Sequence, residues 1–235
     1  HVRKPIMKNG MFKLSLLAGA MVFSGLAMAN PSATLAVKGQ VTTGTCDITL
    51  SKDNIDLGNI SADSLPSTGS RAMSSSAEFL YIRCTSALKL QFSFTDNRAD
   101  SAISADMTAK GTAYNGRFMG LGKTNEGKKI GGYYFALQSI YTPIDGTDTY
   151  MDILGRNSKD GVWEKTQSIV YPLNNEAGIT TNTYISMAKS GELEPYPVSY
   201  AEVRYNVFPF ISSEMRSITD QQTIDGNVTF NVDYL

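Results

Sequence analysis

The sequence predicts an all-β protein, a sandwich or a barrel, and three observations predict it. The closing run, Ile224 to Leu235, alternates: Ile224, Gly226, Val228, Phe230, Val232 and Tyr234 are apolar or small, and mostly polar residues fill the slots between them. Successive side chains on a strand point to opposite faces, so such a run buries one face and wets the other. Short apolar runs divided by turn residues recur about every 8–12 residues along the chain, the spacing of sandwiches and barrels. Nowhere does an apolar stripe at helical spacing persist for three turns. A long apolar strand at the chain end also raises the question of what covers its free edge.

The elements follow in order from the N-terminus. Arg3, Lys4, Lys8 and Lys13 form a basic lead, an apolar run extends from Leu14 to Leu26, and Ala27-Met28-Ala29 supplies small residues. That is the layout of a secretory signal, with cleavage expected before Asn30 and with Met7 or Met11 as the expected start. The apolar run is too short to span a membrane, which takes roughly 20 residues. No membrane span is therefore expected once the signal is removed. Residues 1–29 are read as signal peptide with upstream residues, leaving a length that suits one all-β domain. Taking the leader's four basic side chains from 21 Lys and Arg, against 22 Asp and Glu, leaves the remainder at net −5. With no basic run, nucleic acid is not an expected partner.

From Asn30, the positions Ala33, Leu35, Val37, Gly39 and Val41 are small or apolar in alternation, which predicts a strand, and Ile48 and Leu50 continue beyond Cys46. Ile55–Ile60 reads as a second short strand, Phe79–Cys84 as a third, and Leu88, Leu90, Phe92 and Phe94 as a fourth, closed by turn residues 96–100. Residues 96–132, rich in Gly, Asn and Lys, are the least strand-like part and read as a long hairpin excursion around Gly116–Leu121. Strands are then expected at Tyr133–Tyr141, Tyr150–Leu154, Val162–Val170, Thr183–Ala188 and Tyr200–Ile211, with a turn at Ile144–Thr147.

Candidate chemistry is sparse. Cys46 and Cys84 are the only cysteines, and in an exported chain a lone pair is most simply a disulfide. Gly120-Leu-Gly-Lys-Thr124 ends like a phosphate-binding loop, but Arg117 stands where the first Gly should be. Asp145, Asp148 and Asp152 lack the alternating oxygen ligands of a calcium loop, and Glu192 and Glu194 suit an exposed loop beside Pro195 and Pro197. Asn59-Ile-Ser61 and Asn227-Val-Thr229 match glycosylation acceptors, which matter only in a eukaryotic pathway. The single histidine, His1, lies in the leader, so the usual general base is missing from the mature chain. The expectation is a non-enzyme without cofactor or metal.

Together these features resemble the chaperone–usher pilus subunits of Gram-negative bacteria. Leu35-Ala-Val-Lys-Gly-Gln-Val41 is similar to the pilin amino-terminal extension running into the first strand, Cys46 and Cys84 match the pilin disulfide, and Val228–Leu235, with penultimate Tyr234, resembles the strand a chaperone recognises. A closer likeness is to the β-fimbrial major subunit-like exported proteins, through Ile55–Ser61, Phe118–Thr124, Tyr171-Pro-Leu173 and the terminal strand.

The resemblance implies an immunoglobulin-like sandwich, incomplete by one strand and completed by donor-strand exchange, with long loop insertions at 108–132 and around 145–165. It implies a donor extension at 30–38, inserting Ala33, Leu35 and Val37 with Pro31 at its far end, and a sandwich domain at 39–235. Val228, Phe230, Val232 and Tyr234 would line or flank the receiving groove. The implied partners are a periplasmic chaperone, an outer-membrane usher and neighbouring pilins, with passage through the periplasm to a surface fimbria that contributes to adhesion. Periodicity does not separate this from residues 30–38 pairing within their own sandwich. The alternative is a self-complemented periplasmic or surface binding module that does not polymerise.

Overall fold

The computed structural model describes residues 44–109, 112–166 and 184–235, all within one unit, Thr42–Leu235. The leader, the extension 30–38 with Pro31, Ala33, Leu35 and Val37, and Tyr171–Leu173 lie outside the described residues. Those described form strands and short 3-10 turns and no α-helix. The protein is all-β, and its sheet is antiparallel throughout.

The described residues open with β1 (Cys46–Leu50), the short β2 (Ser70–Ala72) and the long β3 (Ser76–Leu88). β1 pairs with β3 so that Cys46 faces Cys84 and Leu50 faces Leu80, and the two cysteines are joined in a disulfide. β4 (Leu90–Asp96) follows, then the hairpin β5 (Ile103–Ala109) and β6 (Thr112–Gly120). β7 (Gly131–Ile144) turns into β8 (Thr147–Arg156) through Asp145 and Gly146, both at positive φ, +52° and +77°. Asp-Gly supplies that geometry at low cost, which is why the turn was legible in the sequence. β9 (Glu164–Thr166), β10 (Tyr184–Ala188), β11 (Val198–Ser212) and β12 (Val228–Tyr234) complete the set.

The neighbours run β1-β3-β11-β7-β8-β10-β4-β12. β8 makes the sheet curl: its first half pairs with β7 and its second half with β10. One end of the sheet thereby comes over the other, and the apolar faces meet. Leu80 and Ile82 of β3, Phe92 of β4, Phe135 and Leu137 of β7, Ile185 of β10 and Val203 of β11 share the buried core. Ring contacts cross between the halves, with Phe94 of β4 at 5.0 Å from Phe135 of β7.

Two expectations change. Residues 96–132 do contain a hairpin, β5–β6, but Gly116–Gly120 lies within its second strand and is not its centre. It forms because the outer face of β7 and β11 is itself apolar: Tyr134, Ala136 and Phe210 are buried there with Phe118, and Ile103 packs against them. β7 is consequently buried on both faces from Gly131 to Leu137, and such strands read as continuous apolar runs. The strand expected at Ile55–Ile60 does not form. Its apolar spacing is strand-like, but no strand of the described residues lies alongside to complete a ladder.

Candidate functional site

β1 and β12 are the two ends of the sheet path, and no backbone ladder joins them among the described residues. Between them lies an open cleft of about 990 Å³. Its floor is apolar and largely aromatic: Leu121, Tyr133, Phe135, Tyr205 and Val207 line it, each less than a tenth exposed. Leu50 and the run 52–60 form one lip; residues 218–227, Val228 and Phe230 form the other. A second cavity, about 540 Å³, lies against the same run Lys52–Leu57. That run is therefore a strap with open space on two sides.

Both lips carry strand edges without strand partners among the described residues. Thr45 and Ser51 exchange backbone bonds with β3, so by strand alternation the N–H and C=O of Cys46, Ile48 and Leu50 point the other way, into the gap. On β12, Asn227 and Leu235 bond toward the β4 side, which turns the backbone groups of Val228, Phe230, Val232 and Tyr234 toward the gap. Past Ser51, the run 52–60 makes no backbone–backbone hydrogen bond among the described residues.

The predicted residues are distributed along this feature. Phe230 projects into the aromatic floor, with its ring 4.8 Å from Phe94, 5.6 Å from Tyr205 and 5.8 Å from Phe135. Val228 shares the lip, and Val232 packs against the core beyond it. Tyr234 is 52% exposed, and its hydroxyl accepts the backbone N–H of Cys46 at 2.8 Å. The disulfide ties β1 to β3 beside that contact.

Three floor and lip features escaped sequence reading. Tyr133 and Tyr205 sit in strands that had been recognised, but nothing local says that four sequence-distant segments converge on them. The Tyr133 hydroxyl is buried without a hydrogen-bond partner among the described residues, and burial, with a smaller contribution from the Asp96 charge, pushes its pKa up. Burial likewise raises Tyr205 to about 12, helped by Glu78. Glu78 holds the root of the strap: its carboxylate accepts from Ser51 Oγ at 2.6 Å and faces Lys52 Nζ at 3.2 Å. Burial raises its pKa, but the bonds from Ser51 and Lys52 outweigh that, and the net direction is down.

The other sequence candidates have structural roles. A Cβ on Gly120 would lie 2.0 Å from Ser101 Oγ, so close packing requires Gly there. Gly120 N–H donates to the buried Asp96 carboxylate, Lys123 pairs with Asp100 and Thr124 Oγ1 accepts from Lys128 N–H. Asp152 pairs with Lys165 at 2.8 Å and accepts Gly191 N–H; Lys165 first, then that N–H, holds its pKa low. Glu194 pairs with Lys89. Among the described residues no group of three or more His, Cys, Asp and Glu is placed to hold a metal ion, and no helix is long and apolar enough to cross a membrane.

Comparison with known proteins places residues 35–134 in a match to a family model described as "Protein of unknown function (DUF1120)". The chain is also similar to "Uncharacterized protein YhcF" of Escherichia coli (strain K12), 25% identical over 239 residues that cover 94% of this chain and 98% of that protein.

Proposed function

We propose that the protein is a structural subunit of a chaperone–usher surface fimbria, and that the β1–β12 cleft receives residues 30–38 of a neighbouring copy. The observation that carries this reading is a gap whose strand edges, on both sides, have no strand partner among the described residues, above an aromatic floor. An inserted strand would bond Ile48 and Leu50 along one edge and Val228, Phe230 and Val232 along the other. Its alternate side chains, Ala33, Leu35 and Val37, would descend toward Phe135, Tyr205 and Phe230. The curled sheet would then be an immunoglobulin-like sandwich short of one strand. A periplasmic chaperone would occupy the cleft until an outer-membrane usher exchanges it for the next subunit. On this reading the chain is exported, carries no catalytic site and contributes to adhesion as part of a fibre.

The second reading is a self-complemented binding module. The bond from Cys46 to Tyr234, which draws the two sheet ends together within one molecule, favours it. Deleting Asn30–Val37 after the leader separates the two. Donor exchange predicts a protein that still folds and forms its disulfide but no longer gives heat-stable ladders on unboiled gels. A deletion that fails to fold supports pairing within one copy, and a surviving ladder removes these residues from the polymer contact.

A further inference from the structure

The gap between β1 and β12 has two unlike ends. At one, Leu50 and Val228 line the open cleft. At the other, the Tyr234 hydroxyl lies on the Cys46 N–H. Three β1 residues turn backbone groups into the gap: Cys46, Ile48 and Leu50. Ile48 and Leu50 donate to no backbone partner among the described residues, whereas the donor of Cys46 is already taken. A strand entering from the open end would find two free rungs on β1 and then an occupied one.

We propose that Tyr234 is the stop of this cleft: its hydroxyl occupies the rung at Cys46 and so sets how far along the gap an incoming strand can pair. This rests on the reading of the cleft as a strand acceptor. A side-chain oxygen can hold that position because a tyrosine on the terminal strand reaches across a space that backbone pairing would otherwise close. The disulfide fixes Cys46 to β3, so the donor does not move away from the hydroxyl with a fraying strand end. Tyr234 therefore acts on register and length rather than on the apolar floor. The occupant it selects is a strand with one free segment for Leu50 and Ile48 and nothing further to pair.

The test uses the full chain, its Tyr234→Phe and Tyr234→Ser variants, and synthetic peptides nested within residues 28–41. Amide hydrogen exchange at Cys46 is followed by NMR, and peptide affinity is measured as a function of length. In the native chain, affinity should stop rising once the peptide covers the two free rungs, and Cys46 should be protected with or without peptide. In both variants Cys46 should exchange freely alone, become protected with the longer peptides, and gain about tenfold in affinity for each added dipeptide, the effect of one further buried side chain. The same length dependence in all three proteins, or a Cys46 amide indifferent to Tyr234→Phe, overturns the stop. Failure of every peptide to bind any of the three overturns the acceptor reading itself, a different outcome. Retention of the disulfide and of the circular dichroism spectrum shows that the variants are folded.

Discussion

At the scale of single residues, two buried polar groups under the cleft behave in opposite ways. Glu78 is 3% exposed yet ionised, because Ser51 and Lys52 satisfy it. Its pKa in the folded protein is below the ordinary value of 4.5. A depressed carboxylate stabilises the fold above its unfolded pKa, and that stability is lost as pH falls through the folded value. Glu78→Gln should therefore cost about 1–3 kcal/mol at neutral pH and flatten the fall in melting temperature below about pH 4.5. Melting curves from pH 7 to pH 3 check this, and an unchanged acid limb would remove Glu78 from the account. Tyr133 is the reverse case, a buried hydroxyl with no hydrogen-bond partner among the described residues. Tyr133→Phe should leave stability unchanged or slightly higher, since deleting an unsatisfied group restores no penalty; a loss above about 1 kcal/mol would show that the hydroxyl has a partner. Neither residue was legible beforehand. Glu78 lies within a run of mixed polarity, and Tyr133 looked like any inward strand residue.

At the scale of elements, period-two alternation located β3, β4, β7, β8, β10, β11 and β12, because each buries at least one face in the same core. It misread the strap 52–60, which has strand spacing but no strand partner among the described residues, and it centred the hairpin of 96–132 on Gly116–Leu121, which is strand β6 up to Gly120, because the packing surface of β5–β6 is the outer face of other strands. β12 was the clearest element in the sequence and its role depends on Phe230. Phe230→Ala should cost about 2–3 kcal/mol, at or below the lower end for a core Phe because the side chain is only partly buried, and denaturant titration measures it. The β1–β3 disulfide bridges a sequence separation of 38. Its reduction should cost about 4 kcal/mol in the loop-entropy view and loosen β1 first, visible as faster amide exchange at Thr49 and Ser51, whose N–H groups face β3. Equal exchange in both redox states would mean that β3 holds β1 without it.

At the scale of the molecule, the curl of the sheet decides everything that follows. β8 passes from one half to the other, the apolar faces close on each other, and the two end strands stop short of pairing. Composition and periodicity foretold an all-β domain, but the gap arises from strand order, which alternation does not encode. Val228 and Phe230 line the cleft, and Tyr234 reaches across to Cys46. Residues 30–38, the expected donor, lie outside the described residues, so the decisive contact is one to be captured between molecules. Mixing a copy carrying Leu35→Cys with a copy carrying Val228→Cys, under mild oxidation, measures it directly. Donor exchange predicts a disulfide-linked heterodimer that neither variant forms with the native chain. Absence of that dimer, with an efficient internal bond when both substitutions are placed in one chain, would contradict it.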